Sequence, residues 1–575
     1  MRRKAIISCF LSAAMVVGMP GMSSAGMIVN ETENIAVEKD LIPGVEEREG
    51  ISDNFALDSE VTGTKGKKEA PIENVNDGSY DTQWETYSGT KEGDATFALS
   101  EEKTVNKIIL TQGKTKRDMK VRVKTSSDQE TWTTQIEDVD FTEDTVSILL
   151  DNVKCKYIRI ELYDIVQVSG KYYGFSLSEI EIYQDKEVDP SSILALIAAA
   201  EDMIEKFQNC SEDEVVLPEE ELKLLQAAID KARTAAEDES SSQFLLKQLE
   251  TELNAAMEQF ISRIEYDDSV FERILENFYA KAIQSESTEV AETEARKAQE
   301  SMDRSPDAKQ LWDVGTTDVS SIIVRYGDNI SYMALAYAQE ESSLYHNEEL
   351  LKDIEYAYNW LYENLYNEDS EEVGNWWGWR IGGPKRYVVS LTVLRDVLDP
   401  DIINKMCSAM KKHFGTSYYN STGANRSDPA SYDIIVSAFQ KDGLGIYKAQ
   451  NCILGDFDYV DDKDVITDPN GHYKDGSFIY HTSNAYNGNY GKETVHSISN
   501  IVSMTVGTPF EVDEQYRKVM VEWAVSGYDP QIYRGHFSMA SRGRMIYGGT
   551  EIARETGNSF QTVAECLDGA DAALV

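Results

Sequence analysis

Cysteine is scarce and scattered. The 575 residues contain 6 cysteines. Cys9 lies in the apolar start, and Cys155, Cys210, Cys407, Cys452 and Cys566 are far apart, odd in number and without metal-ligand spacing. That excludes a disulfide scaffold and predicts mostly buried free thiols. Histidine is equally rare, and His346, His413, His472, His496 and His536 show no zinc spacing. Cations are the minority charge: 55 Lys and Arg face 101 Asp and Glu, a net charge of −46. Nucleic acid is therefore excluded as a partner. Long apolar runs are missing too. After the N-terminus nothing is long enough to cross a bilayer, so no transmembrane segment is expected.

What is present begins with a basic start, Met1-Arg2-Arg3-Lys4. An apolar stretch from Ala5 to Val17 follows, then small residues ending Ser23-Ser24-Ala25-Gly26. This reads as a secretory signal peptide over 1–25 and predicts a secreted, extracellular protein. Residues 26–48 are polar and acidic and read as a flexible leader. From 49 to 186 short β-branched runs alternate: Val105 to Leu110, Met119 to Val123, Val146 to Leu150 and Tyr157 to Leu162. Gly, Asp, Asn and Ser separate them, which suits an antiparallel β-sandwich. The pattern changes at Asp189-Pro190. Leu222, Leu225, Ile229 and Ala232 recur at helical spacing, as do Leu246, Leu249, Leu253 and Met257, widened by Leu245 and Phe260. Pro218 and the run Asp238 to Ser242 divide 190–264 into three helices, read as a spacer bundle; the heptads stop too soon for a coiled coil. Residues 266–575 are again helical, with Ser331 to Tyr337 and Leu351 to Tyr366 as core helices. Long Gly-, Asn-, Tyr- and Trp-rich segments interrupt them, and such segments on a rigid scaffold commonly carry function.

Three of those segments stand out. The first, Gly374 to Arg386, contains Asn375, Trp376, Trp377, Trp379 and Arg380. Three tryptophans in four positions fit neither a strand nor a helix face and read as an exposed loop. Aromatic rings stack on the apolar faces of sugars, while Asn and Arg bind hydroxyls and carboxylates. Arg380, Lys385 and Arg386 also make a local basic island in an acidic chain. The second, Ser421 to Asp428, offers the neutral amide of Asn425 in a Gly-containing turn. The third, Asp475 to Gly491, gathers His481, Tyr480, Tyr486, Tyr490 and three asparagines. His and Tyr can both transfer protons.

In this order the segments resemble polysaccharide lyase family 8, the hyaluronan, chondroitin and xanthan lyases. The resemblance rests on Asn375-Trp376-Trp377 followed by Ile381-Gly382-Gly383-Pro384, on Gly423-Ala424-Asn425, and on Asp475-Gly476-Ser477-Phe478-Ile479-Tyr480-His481 with Tyr490 nine residues later. Tyr533-Arg534-Gly535 and Ser541-Arg542-Gly543-Arg544 complete it. It implies an α/α toroid with Asn425, His481, Tyr490 and Arg544 as the catalytic set. It implies Asn375, Trp376, Trp377, Trp379, Arg380, Tyr419 and Arg542 as substrate contacts. Two departures matter. Met545-Ile546-Tyr547-Gly548 follows Arg544 where the family continues to a second arginine, and Arg380 stands where it usually has an acidic residue. The family also carries a C-terminal β-sandwich region, and the sequence ends at Val575 before one, so the catalytic domain is expected to be incomplete. At the other end, Asn76 to Trp84 and Gly174 to Tyr183 resemble the two edges of a discoidin-like jelly roll (coagulation factor 5/8 type C), a family that includes carbohydrate-binding modules. That implies cell-surface or matrix glycans as partners. It also implies a structural Ca²⁺ near Asp77, Asp81 and Glu179; the alternative is that the two aspartates only shape a turn.

The implied chemistry is β-elimination on an anionic, uronate-containing polysaccharide by a monomeric enzyme that needs no catalytic cofactor. Charge develops on the uronate carboxylate as the C5 proton leaves, so donors at that carboxylate are the main need. Asn425 and His481 would supply them, and Tyr490, poised by Arg544, would take the proton and return one to the glycosidic oxygen. Two other readings remain. A glycoside hydrolase on a helical toroid would need two facing carboxylates, for which Asp475 and Glu493 are candidates. A non-catalytic glycan-binding protein would need none of this chemistry.

Overall fold

The computed structural model describes residues 52–166, 174–460 and 469–567, together with the backbone of Val37–Glu38. The expected signal peptide, Cys9 and most of the leader lie outside them. Within the leader, β1 (Val37–Glu38) pairs antiparallel with Ile148 and Ser147.

The N-terminal unit is a wholly antiparallel sheet domain. β2 (Glu60–Gly63), β3 (Trp84–Glu85), β4 (Gly93–Gln112), β5 (Met119–Ser126), β6 (Thr133–Phe141), β7 (Thr145–Tyr163) and β8 (Ser176–Tyr183) take the order β3-β8-β4-β7-β5-β6. β1 adds to β7 and β2 to β4. The long partners β4 and β7 pair from Gly93↔Leu162 to Thr111↔Thr145, with register breaks after Ala98 and Val105. Those irregularities bend the pair so that one ribbon serves both layers. Along β5 the buried residues alternate as Met119, Val121 and Val123, the pleat of a strand with one face on a core. The core closes on Trp84, Phe97, Phe141 and Phe175, with Trp84 edge-on to Phe175 at 5.1 Å.

Three helices follow: α1 (Ser191–Gln208), α2 (Glu219–Glu237) and α3 (Gln243–Arg263). The expected stripes are the buried ones: Leu225, Ile229 and Ala232 on α2, and Leu246, Leu249, Leu253 and Met257 on α3. At one end Ser242 caps α3 and donates to Asp151 of β7 at 2.6 Å, while Phe244 packs on the sandwich core. At the other end the bundle has no core of its own. Phe207 meets Phe260, Tyr266 and Phe510 at 6.4, 6.2 and 6.3 Å, and its hydrophobic core is continuous with that of the following helices.

The remaining described helices are α4 (Asp268–Ala282), α5 (Thr288–Ser301), α6 (Val319–Ala338), α7 (Glu348–Asn364), α8 (Gly383–Val393), α9 (Pro400–Phe414), α10 (Ala424–Phe439), α11 (Gly443–Ile453), α12 (Lys492–Thr505), α13 (Glu514–Trp523) and α14 (Gly549–Ala564). They pack helix on helix in the α/α toroid arrangement, as α5 on α6, α6 on α8, α10 on α11 and α12 on α14. Side chains of Asp267, Asp318, Asn347, Asp399 and Asp442 cap α4, α6, α7, α9 and α11. Cys155 and Cys407 are buried, and the five described cysteines are all free. Among the described residues no helix is long and apolar enough to cross a membrane.

A shared core has a measurable consequence. Phe207→Ala should cost about 3–5 kcal/mol and lower the melting temperature of the spacer and the toroid together. Calorimetry should show their single transition moving while that of the sandwich stays in place.

Candidate active site

The tryptophan segment is helical rather than a loop. The Asn375 Oδ1 accepts the N–H of Trp377 at 3.1 Å, capping a first turn that includes Trp376 and Trp377. Gly378–Gly382 then forms a π turn that runs into α8. Such wider turns are rare and concentrate at functional sites. The extra residue brings Trp377 and Gly382 together: a Cβ on Gly382 would stand 2.6 Å from the Trp377 ring. Trp376 and Trp377 are 43% and 40% exposed. Trp379 corrects the expectation of a third sugar contact. It is buried, stacks on Tyr366 at 5.8 Å and donates its indole N–H to the Val373 carbonyl at 2.9 Å.

Beside these rings lies a cleft of about 280 Å³ lined by Trp376, Arg380, Phe414, Ser417, Tyr418, Ser421, Asn425 and Pro429. The guanidinium of Arg380 is held by both oxygens of Glu372 at 3.0 Å through Nε, and by Ser417 Oγ at 3.0 Å through Nη1. The expected basic island is thus largely neutralised, because Arg386 also pairs with Asp328 at 2.6 Å. Tyr418, not Tyr419, lines the cleft. Tyr419 is half-buried edge-on against Tyr418 at 4.6 Å, and burial raises its phenol well above the ordinary range.

Asn425 sits on the first turn of α10 instead of in a free turn. Gly423, the residue before that helix, has φ +54°, a conformation that favours glycine. Its N–H donates to Asp456 Oδ1 at 3.1 Å, and Arg426 reaches the same oxygen at 3.0 Å. The Arg426–Asp456 pair is buried on both sides and clamps the turn from beneath. From above, Tyr480 donates to the Thr422 carbonyl at 3.0 Å.

The third segment is a small sheet followed by a second π turn. β9 (Gly471–His472), β10 (Phe478–Tyr480) and β11 (Asn484–Ala485) pair antiparallel, and His481 and Thr482 turn the corner at φ +51° and +68°. Positive φ in two successive non-glycine residues is strained backbone, of the kind that clusters at working sites. The buried Asn487 holds the base of the hairpin, accepting the Phe478 N–H at 3.0 Å and donating to the Gly476 carbonyl at 2.9 Å. Asn487–Gly491 is the π turn, and it carries Tyr490. The Tyr490 ring stacks on Tyr480 at 4.2 Å and meets His481 edge-on at 5.1 Å. The Arg544 guanidinium stands 5.5 Å from the same ring. His481, Tyr490 and Arg544 therefore converge, and Tyr480 joins them to the turn bearing Asn425.

Arg542, expected as a substrate contact, is 7% exposed, and its stem lies against Gly488 of the π turn. Residues the sequence reading did not assign include Tyr480, Glu372, Ser417, Asp456 and Arg426. Only Tyr480, inside a motif already quoted, had a usable signal. The two carboxylates of the hydrolase reading are occupied elsewhere. Asp475 accepts the N–H and hydroxyl of Ser477, and Glu493 pairs with Lys492 at 2.7 Å.

In the sandwich, Asp77, Asp81 and Glu179 do not gather into one ligand group; among the described residues no three such side chains do. Asp77 accepts from the Ser79 N–H and the Thr82 hydroxyl, and Asp81 is exposed. Glu179 is different. It is buried, its Oε1 accepts the Gly78 N–H at 3.2 Å, and its Oε2 has no partner. Burial, with Asp77 and Glu181 nearby, pushes its carboxyl up to about 8. A sealed carboxylate oxygen facing a second carboxylate fits a hard cation.

Comparison with known proteins bears on both units. The F5/8 type C domain matches residues 58–177. Polysaccharide lyase family 8, N-terminal alpha-helical domain, matches residues 273–573. Hyaluronate lyase HylB of Enterococcus faecalis is 27% identical over 310 residues, 50% of this chain and 29% of that protein. Xanthan lyase of a Bacillus species is 32% identical over 256 residues, 43% of this chain and 26% of that protein. The chain thus spans less than a third of the length of these curated relatives. The solved structure of Paenibacillus xanthan lyase matches with a TM-score of 0.48 at 25% identity, covering 52% of this chain and 30% of that one. With the catalytic-domain match running over more than half of its residues, this chain belongs to polysaccharide lyase family 8 and carries an F5/8 type C domain ahead of the lyase helices.

Proposed function

We propose that this chain acts as a secreted lyase that cleaves a uronate-containing, glycosaminoglycan-type polysaccharide by β-elimination. The observation that carries the reading is the convergence of His481 and the Arg544 cation on the Tyr490 ring, beside a cleft that joins Trp376 to Asn425. Secretion rests on the character of residues 1–26 alone.

The chemistry follows from where charge develops. In the bound sugar the uronate carboxylate lies against the Asn425 amide, which donates to it. As the C5–H bond breaks, the proton passes to the Tyr490 oxygen and the electron pair spreads onto the carboxylate, where Asn425 and His481 hold it. The C4–C5 double bond then forms as the C4–O bond breaks, and the leaving oxygen takes a proton from Tyr490. The Arg544 guanidinium, 5.5 Å from that ring, sets a positive charge beside the proton transfer. Trp376 and Trp377 support the apolar faces of neighbouring sugars. The product carries a 4,5-unsaturated uronate at its new non-reducing end. The F5/8 type C domain binds glycans on a surface or matrix and holds the enzyme near its polymer. Asp77 and Glu179 would hold a structural Ca²⁺ there.

Three outcomes are expected. Tyr490→Phe should lower turnover about 10²- to 10⁴-fold with polymer binding nearly intact, read as loss of the ultraviolet absorbance of unsaturated uronate; full activity would sink the proton-transfer role. Asp456→Asn keeps an acceptor for Gly423 but loses the charge beneath Asn425. Its kcat should fall by roughly tenfold, and combining it with Asn425→Ala should add little, since both act through one amide. Calcium should raise the melting temperature of the sandwich in the native protein and not in Glu179→Gln, measured by calorimetry against chelator.

A further inference from the structure

The guanidinium of Arg542 has no carboxylate partner among the described residues. The residue is 7% exposed and its Nε is sealed without an acceptor. Among the described residues its guanidinium makes no hydrogen bond and no ion pair. A guanidinium with one nitrogen sealed and no carboxylate beside it favours an anion at its open terminal nitrogens. Its terminal Nη1 reaches to within 2.8 Å of where a Cβ on Gly549 would stand, and its Cζ to within 3.4 Å. Gly549 is the first residue of α14, a helix of 16 residues.

That helix end is bare. The preceding residue, Gly548, is left-handed at φ +78° and supplies no side-chain cap. The first bond of the helix runs from the Ile552 N–H to the Gly548 carbonyl at 2.9 Å. The N–H groups of Gly549, Thr550 and Glu551 precede it and have no partner within the helix. Two successive glycines leave them uncovered. Unpaired helix N–H groups and a guanidinium are common elements of an oxyanion cradle, and here Arg542 Nη1 lies beside the first residue of the helix. Thr550 and His536, joined at 3.0 Å, add a hydroxyl and an imidazole at the rim. Two acceptors compete: the Phe537 carbonyl, 3.5 Å from where a Cβ on Gly549 would stand, and the Glu551 carboxylate. Its Oε2 lies 3.6 Å from where a Cβ on Gly548 would stand, but the residue is exposed and free to turn into water.

We propose that the N-terminus of α14 and Arg542 form an oxyanion site for a sulfate ester carried by the polysaccharide. The site adjoins the proposed chemistry, since the Arg542 stem packs on Gly488, two residues before Tyr490, and Arg544 is two residues further along the chain. It rests on the reading of the cleft as one for anionic polymer and narrows that polymer to a sulfated one.

Binding separates this from turnover. Tyr490→Phe protein is titrated calorimetrically with sulfated chondroitin, with the same chain after chemical desulfation, and with inorganic sulfate. The sulfated chain should bind about tenfold tighter than the desulfated one. That ratio should collapse in Arg542→Gln and in Thr550→Pro, which removes one N–H at a helix position tolerant of proline. It should survive in Thr550→Val, which removes only the hydroxyl. Equal affinity for both chains, or a preference that outlasts Arg542→Gln and Thr550→Pro, overturns the site. So does inorganic sulfate binding without any preference between polymers. If Arg542→Gln does not fold, Thr550→Pro decides. If the native protein releases no unsaturated uronate from either polymer while the binding preference holds, the lyase reading fails and the oxyanion site stands.

Discussion

Tyr480 stacks its ring on Tyr490 at 4.2 Å and donates its hydroxyl to Thr422 at 3.0 Å. Two parts of the chain more than fifty residues apart are thereby held to one another: the turn that starts α10 with Asn425, and the π turn that carries Tyr490. Everything proposed for the site depends on that distance being kept. An amide that holds a carboxylate and a phenol that takes the neighbouring proton must address the same sugar ring, and small misplacements are costly. The supports on either side are correspondingly stiff. The buried Arg426–Asp456 pair lies under Asn425, and Asn487 ties the base of the Tyr490 hairpin. Gly423, against which Tyr480, Phe478 and Thr494 all press, has no room for a side chain.

The charge of the chain is resolved locally. A net −46 would repel a polyanion if the cleft shared it evenly, but total charge acts mainly at long range. Several cations near the site are spent on carboxylates: Arg380 on Glu372, Arg386 on Asp328, Lys492 on Glu493 and Glu555. Such pairs set position more than potential. Arg544 has no carboxylate partner among the described residues and stands instead over Tyr490. One exposed guanidinium beside a phenol, with Asn425 and His481 as the proposed donors to the uronate carboxylate, suits a reaction in which further charge builds on that carboxylate in the transition state.

Much of this was legible from residue order, because the helical stripes and the β alternation report burial directly. Leu225, Ile229 and Ala232 are buried as their spacing requires, and so are Met119, Val121 and Val123. The limits have physical causes. Val146 to Leu150 and Tyr157 to Leu162 read as two strands because Asp151-Asn152 looks like a turn; they form one ribbon that continues through the polar residues. Trp379 reads as a sugar contact because three tryptophans in four positions fit neither a strand nor a helix face and suggest an exposed loop. The π turn changes the helical phase by one residue and sends Trp379 inward while its neighbours face out. The resemblance implies Tyr419, but a 3-10 turn, invisible in the pattern, turns Tyr418 toward the cleft instead. Ion pairs such as Arg426–Asp456 join distant positions and leave no local trace.

Gly548 shows how an apparent loss can be read two ways. As a sequence, it is a missing arginine and a weakened hold on anions. In the fold it is the left-handed residue that opens α14, a conformation that favours glycine, and at Gly549 a Cβ would stand 2.8 Å from Arg542 Nη1. An arginine carries a full charge on a flexible stem and loses entropy when it binds. A bare helix end carries about half a charge, but its N–H groups are already aimed and lose nothing. Backed by Arg542, whose guanidinium has no carboxylate partner among the described residues, such an end holds an oxyanion with groups that a motif search cannot see, because they belong to the backbone.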